Sequence, residues 1–172
     1  KQLNTNITKE NINQTVELYG WVNKKRDLGG LVFIDLRDRS GIIQLVVNPD
    51  NKYYEVASNL KNEYVIKVTG IVEKRENPNK NLVTGDIEIN VDTLEIINKS
   101  HELPFEISDN TNALEDTRLK YRYLDLRRDT LKNKILTRHQ ITRSIRNFLD
   151  NEGFIDIETP ILCKSTPEGA RD

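Results

Sequence analysis

The side chains whose types and placement could do chemistry in the first half of the chain are Arg26, Phe33, Gln44, Arg75, Asn79, Asn81 and Glu88. An aromatic ring offers a π-face to a nucleobase, and a guanidinium brings charge and a fork of donors. An amide both donates and accepts, and a carboxylate accepts from N–H edges. These are the groups that reading an unpaired base requires. Each also has a plainer reading. Phe33 lies in the apolar run Leu31 to Leu36 and suits a core as well as a platform. Lys24 and Lys25, beside Arg26, suit phosphate contacts or solvated charge. Gln44 lies in the apolar run Ile42 to Val47, so its amide must find partners or point to an open face. Solvation alone accounts for Arg75, Asn79 and Asn81 in a loop. Near the C-terminus, Glu168 could pair with an ammonium group, and Gly169 gives its loop freedom to close. A mobile terminal loop is the plainer reading there.

The elements that must position these residues fall into two halves with different periods. The first half reads as five strands: Val16 to Val22, Leu31 to Leu36, Ile42 to Val47, Tyr64 to Val72 and Gly85 to Ile97. Turn residues separate them, as in Asp38-Arg39-Ser40-Gly41 and Asn48-Pro49-Asp50. A short helix from about Tyr53 to Leu60 falls between the third strand and the fourth. That order is the order of an OB-fold, which binds single-stranded nucleic acid on the face of its second and third strands.

The stretch Asn98 to Asp116 reads as a linker. Beyond it, Leu119, Tyr123, Leu124 and Leu126 suggest a short helix, and Thr130 to Asn151 a longer one with apolar residues at helical spacing. Asn151-Glu152-Gly153 stops it, and Phe154 to Leu162 reads as a strand that Pro160 confines to an edge.

Composition bounds the rest. The 172 residues have room for one domain, or one small domain and part of another. With 36% hydrophobic and 31% charged residues, the chain is neither disordered by composition nor apolar. No apolar run approaches the ~20 residues of a membrane span, and Lys1 to Val16 lacks the apolar core of a signal peptide. A single Cys163 cannot form an internal disulfide, and two histidines are too few for a Cys/His metal cluster. These features point to a reduced, cytoplasmic protein. Met is absent, which reads as a chain trimmed or processed at its start.

The net charge of -1 averages unlike regions. Between Arg118 and Arg146 stand 10 basic residues (Arg118, Lys120, Arg122, Arg127, Arg128, Lys132, Lys134, Arg138, Arg143, Arg146) against Asp125 and Asp129. This local excess is either a solvated helix face or a surface that approaches phosphate.

Specific segments carry a resemblance. Phe148-Leu149-Asp150-Asn151-Glu152-Gly153-Phe154-Ile155-Asp156-Ile157-Glu158-Thr159-Pro160 resembles motif 1 of class II aminoacyl-tRNA synthetases. In that family a long helix and a strand, with a proline at the position of Pro160, build the homodimer interface. Gly20 to Gly30 and Phe33-Ile34-Asp35-Leu36-Arg37-Asp38 are similar to the anticodon-binding OB-fold of the aspartyl, asparaginyl and lysyl subclass. Arg118 to Arg128 resembles the hinge of bacterial aspartyl enzymes, and Thr166-Pro167-Glu168-Gly169-Ala170-Arg171-Asp172 the mobile loop beside their amino-acid pocket.

The resemblance implies an all-β OB-fold barrel of five strands and one helix over residues 1–103. A helical hinge over 104–129 follows, then the first helix–strand unit (motif 1) of an α/β class II catalytic domain over 130–172. It implies an aspartate–tRNA ligase that activates L-aspartate with ATP and Mg²⁺ and transfers it to tRNA(Asp), with no part for membrane or DNA. By resemblance, Phe33 stacks on the middle anticodon base, with Arg26 and Gln44 contacting the same base. Arg75, Asn79 and Asn81 contact the third base, and Glu88 faces a first-position guanine. Glu168 binds aspartate. The family often has a second basic residue two positions before Arg75, where this chain has Glu73. The ATP-contacting motifs, the Mg²⁺ site and most aspartate contacts are expected outside this chain, which resembles an N-terminal portion without catalysis of its own. Two alternatives stand. An asparaginyl or lysyl enzyme is disfavoured by the Thr166 to Arg171 loop. A stand-alone OB-fold RNA-binding module is disfavoured by the motif 1 segment.

Overall fold

A computed structural model describes residues 2–162 of the chain. The chain divides into two compact units, Lys1–Glu102 and Leu103–Asp172. Glu168, Arg171 and Cys163 lie outside the described residues.

In the first unit, alternation of apolar and polar residues produces five strands: β1 (Thr15–Leu28), β2 (Leu31–Arg37), β3 (Ile42–Val47), β4 (Val65–Lys74) and β5 (Ile87–Asn98). A short helix, α1 (Tyr54–Ser58), sits between β3 and β4. The strands close into a barrel in the order β1-β2-β3-β5-β4. Only the β3–β5 pair is parallel. One face of every strand therefore turns inward. Val32, Ile34 and Leu36 of β2 and Ile43, Leu45 and Val47 of β3 are all fully buried. The alternate residues, Phe33 and Asp35 on β2 and Gln44 and Val46 on β3, stand on the outer face.

The first strand is six residues longer at its C-terminal end than its alternation suggests. Its first part pairs with β4 and its second with β2, with a bulge between Val22 and Lys24. The polar second part, Asn23 to Asp27, has no apolar alternation to announce it. Its partner is supplied by a two-residue hairpin turn, Gly29-Gly30. Both glycines have positive φ, +62° and +84°, as a primed turn requires. The β2–β3 turn is fixed by Asp38, whose Oδ1 accepts from the backbone and hydroxyl of Ser40 at 2.7 and 2.6 Å. Its Oδ2 accepts from the Asn4 N–H at 2.8 Å. Burial pushes the Asp38 carboxyl up, but these hydrogen bonds outweigh it and hold the group below its ordinary range. Register is tightest at Gly70, where a Cβ would run into the Asn90 carbonyl.

The second unit contains α2 (Glu115–Lys120), α3 (Arg122–Asp125) and α4 (Asp129–Asn151). The hinge that periodicity reads as one helix is two, broken at Tyr121 with φ -107° and ψ 47°. Its polar centre is Asp125, 1% exposed, which accepts from Arg128 Nε at 2.7 Å and Arg122 Nη1 at 3.3 Å. The α4 helix ends in a Schellman motif. Phe154 N–H bonds to Leu149 O and Gly153 N–H to Asp150 O, both at 3.0 Å, with Gly153 at φ +86°.

One expectation fails after this helix. Phe154 to Leu162, including Pro160, forms no ladder among the described residues, although its composition suits an edge strand. A strand exists through its partner, and an edge sequence cannot supply one. An ion pair of Arg146 with Asp156, at 2.8 Å and well exposed, joins the segment to α4.

Candidate nucleic-acid interface

Strand register sets the candidate residues in two adjoining rows on the outside of the barrel. One row runs Lys24, Asp35, Gln44, Glu88 and Glu73, each opposite the next on the neighbouring strand. The other runs Arg26, Phe33, Val46, Asn90 and Ile71. Phe33 is half-buried and faces outward, so it is not a core phenylalanine. In register it stands between Arg26 on β1 and Val46 on β3.

Hydrogen bonds join Asp35, Gln44 and Glu88 of the first row to Arg26 of the second and to Arg75. Arg26 Nη2 donates to Asp35 Oδ1 at 2.7 Å and to Gln44 Oε1 at 3.2 Å. Arg75 Nη2 reaches the same Gln44 Oε1 at 2.9 Å. Gln44 Nε2 donates to Glu88 Oε2 at 2.7 Å. This resolves the question a lone amide in an apolar run poses. Gln44, 5% exposed, satisfies both ends on charged neighbours. Burial raises the Glu88 carboxyl above its ordinary value, opposed by the Gln44 hydrogen bond and the Arg75 charge, while Glu73 and Glu76 push it further up. Arg26, Gln44, Arg75 and Glu88, far apart in sequence, thus form one site, with Phe33 opposite Arg26 on the neighbouring strand.

Asn79 and Asn81 lie in the β4–β5 loop and bond within it. Asn79 Oδ1 accepts from Asn81 N–H at 3.0 Å, and Asn79 N–H donates to Gly85 O at 2.8 Å. The side chain of Asn79 is therefore a loop-building group, half-buried, while Asn81 is exposed. Gly85 is required where it stands, because a Cβ would enter the Asn79 carbonyl. Glu73, the residue at the family's basic position, accepts from Asn90 Nδ2 at 3.0 Å, and Asn90 Oδ1 accepts from Asn48 at 2.9 Å. Lys25 is neither solvated charge nor a bare cation, since its ammonium donates to the Ser58 carbonyl. Pro160 lies in the other unit.

Two members of the surface were not singled out in the sequence. Asp35 could have been found, because it interrupts the apolar run Leu31 to Leu36 two residues after Phe33 and so shares its face. Asn90 could not, since only the parallel β3–β5 register brings it beside Val46. Among the described residues no group of three or more His, Cys, Asp and Glu side chains is placed to hold a metal ion. No helix among them is long and apolar enough to cross a membrane.

Comparison with known proteins agrees with this architecture. Residues 16–97 match a model described as an OB-fold nucleic acid binding domain, and residues 114–172 match tRNA synthetases class II (D, K and N). The aspartate–tRNA ligase of Lactococcus lactis subsp. cremoris is 56% identical over 170 residues, which are 97% of this chain and 29% of that protein. The aspartate–tRNA ligase of Staphylococcus epidermidis is 56% identical over 171 residues, 96% of this chain and 29% of its own length. The chain thus spans about three tenths (29%) of these relatives. Among solved structures, asparaginyl-tRNA synthetase from Pyrococcus horikoshii complexed with asparaginyl-adenylate superposes with TM-score 0.86 at 28% identity, covering 99% of this chain and 38% of that one. An OB-fold nucleic acid binding match and a match to class II (D, K and N) tRNA synthetases thus follow one another along this chain.

Proposed function

We propose that this chain is the anticodon-reading part of an aspartate–tRNA ligase. The observation that carries the reading is the convergence of Arg26, Arg75 and Glu88 on Gln44 at the outer face, beside an outward Phe33. The identity of 56% to aspartate–tRNA ligases supports the choice of amino acid. Phe33 stacks on the middle anticodon base, and Gln44 with Arg26 reads its edge. Glu88 accepts from a first-position guanine, and Arg75 with the Asn79–Asn81 loop meets the third base. The whole protein activates L-aspartate with ATP and Mg²⁺ in the cytoplasm and transfers it to tRNA(Asp). ATP, Mg²⁺ and the transfer chemistry are assigned to parts of the whole protein not contained here, and Glu168 to its aspartate pocket. The exposed apolar residues of α4, among them Ile141, Ile145 and Phe148, support a homodimer interface that continues through Pro160.

The test is binding of anticodon stem-loops by fluorescence anisotropy at fixed salt. Loops bearing the aspartate anticodon GUC, the asparagine anticodon GUU and the lysine anticodon UUU are compared. Preference for GUC supports the proposal. Preference for either of the others assigns the chain to a sister enzyme.

A further inference from the structure

The outer row leaves Gln44 one orientation. Its Oε1 accepts from two guanidiniums, Arg26 at 3.2 Å and Arg75 at 2.9 Å, which fill both lone pairs. One hydrogen of Nε2 goes to the Glu88 carboxylate at 2.7 Å. Turning the amide over would aim its NH₂ at two cations and its oxygen at an anion, so three attractive contacts would become repulsive. What remains for a ligand is a single N–H donor. Such a donor accepts only a base with an acceptor facing it. At ring position 4, uracil presents a carbonyl oxygen and cytosine an amino donor. A fixed amide separates the two, whereas an amide free to turn accommodates both.

Arg26 is the weaker of the two guanidinium contacts, and it is shared. The same Nη2 lies 2.7 Å from Asp35 Oδ1, on the strand between. Asp35 is 17% exposed at its side chain and stands opposite both Lys24 and Gln44 in register. We propose that Asp35 is a positioning residue, holding the Arg26 guanidinium on Gln44 so that the site selects uracil over cytosine at the middle anticodon base. This rests on the anticodon reading above. Asp35 touches no base. It acts through the orientation of an amide two side chains away.

The test compares the chain with its D35N and D35E variants, using stem-loops that carry GUC and GCC. D35N keeps the shape and removes the charge. The ratio of Kd values for GCC and GUC is expected to fall about three- to tenfold in D35N, a fraction of what one good base contact gives. D35E, which restores the charge, should recover part of the ratio, and the melting temperature should stay within a few degrees. If D35N weakens both RNAs equally, Asp35 contributes only charge or packing, and the proposal is overturned while the anticodon reading stands. If the unmodified chain binds GUC no better than unrelated loops, the anticodon reading itself falls. Should D35N fail to fold, the ¹⁵N spectrum of the unmodified chain decides. A single protected NH₂ pair for Gln44 supports the fixed amide, and an averaged, rapidly exchanging pair overturns it.

Discussion

The barrel and the α4 helix use similar apolar content to opposite ends. In the barrel, alternation turns one face of each strand into a closed interior, where Leu18, Ile34, Leu45 and Ile66 are fully buried. In α4 no residue is buried, and Ile135, Leu136, Ile141, Ile145, Phe148 and Leu149 are 40–63% exposed. A barrel completes its hydrogen bonding and its core within one chain segment. An amphipathic helix completes its stripe only against something else. The barrel can therefore leave its outer face for charged and aromatic groups that recognise a ligand. The helix adds little to the stability of this chain, however regular its sequence.

The largest expected effect that sharpens this contrast is Leu45→Ala in the barrel interior. Deleting a fully buried leucine side chain should cost about 2–5 kcal/mol, read from urea unfolding by the fluorescence of the single Trp21. Asp125→Asn comes next, because it leaves Arg128, 9% exposed, with only the longer 3.6 Å pair to Asp109. A loss of about 1–3 kcal/mol is expected, visible as helix loss by circular dichroism rather than in Trp21 fluorescence. The smallest effect is Ile141→Ala on the exposed stripe, which should change stability by less than about 0.5 kcal/mol. If Ile141→Ala proves as costly as Leu45→Ala, the contrast between the two regions is wrong.

A pH experiment probes the outer row. The Glu88 carboxyl is raised, chiefly by burial, above an ordinary value of 4.5. A raised acid contributes its stability fully below the ordinary value and loses it as pH rises through the raised one. Glu88→Gln removes that loss. The variant should therefore gain stability relative to the original chain as pH rises from 4.5 towards neutrality. A pH-independent difference would show that Glu88 titrates as an ordinary surface group.

Much of the barrel is legible in the sequence, because its strands alternate and its turns carry Asp, Asn, Pro and Gly. The second part of β1 is not, since Asn23 to Asp27 is polar and its strand character comes from pairing with β2. The same logic hides the ladder that Phe154 to Leu162 would need. At the site, Arg26, Phe33, Gln44, Arg75 and Glu88 are recognisable one by one from the family resemblance. Their hydrogen-bonded union is not, because it depends on which residues of three strands fall opposite each other. Asp35 belongs to the same lesson. Its type is visible, but its partner Arg26 becomes visible only once the β1–β2 register is known.

The central claim is that the outer face at Phe33 is a platform for an unpaired base. The most direct measurement is the Kd of Phe33→Ala for the GUC stem-loop, taken with its melting temperature. Loss of stacking should weaken binding by about 1–3 kcal/mol, roughly five- to more than a hundredfold, with a melting temperature near that of the original chain. Unchanged affinity, or a collapse of the fold, would contradict the account.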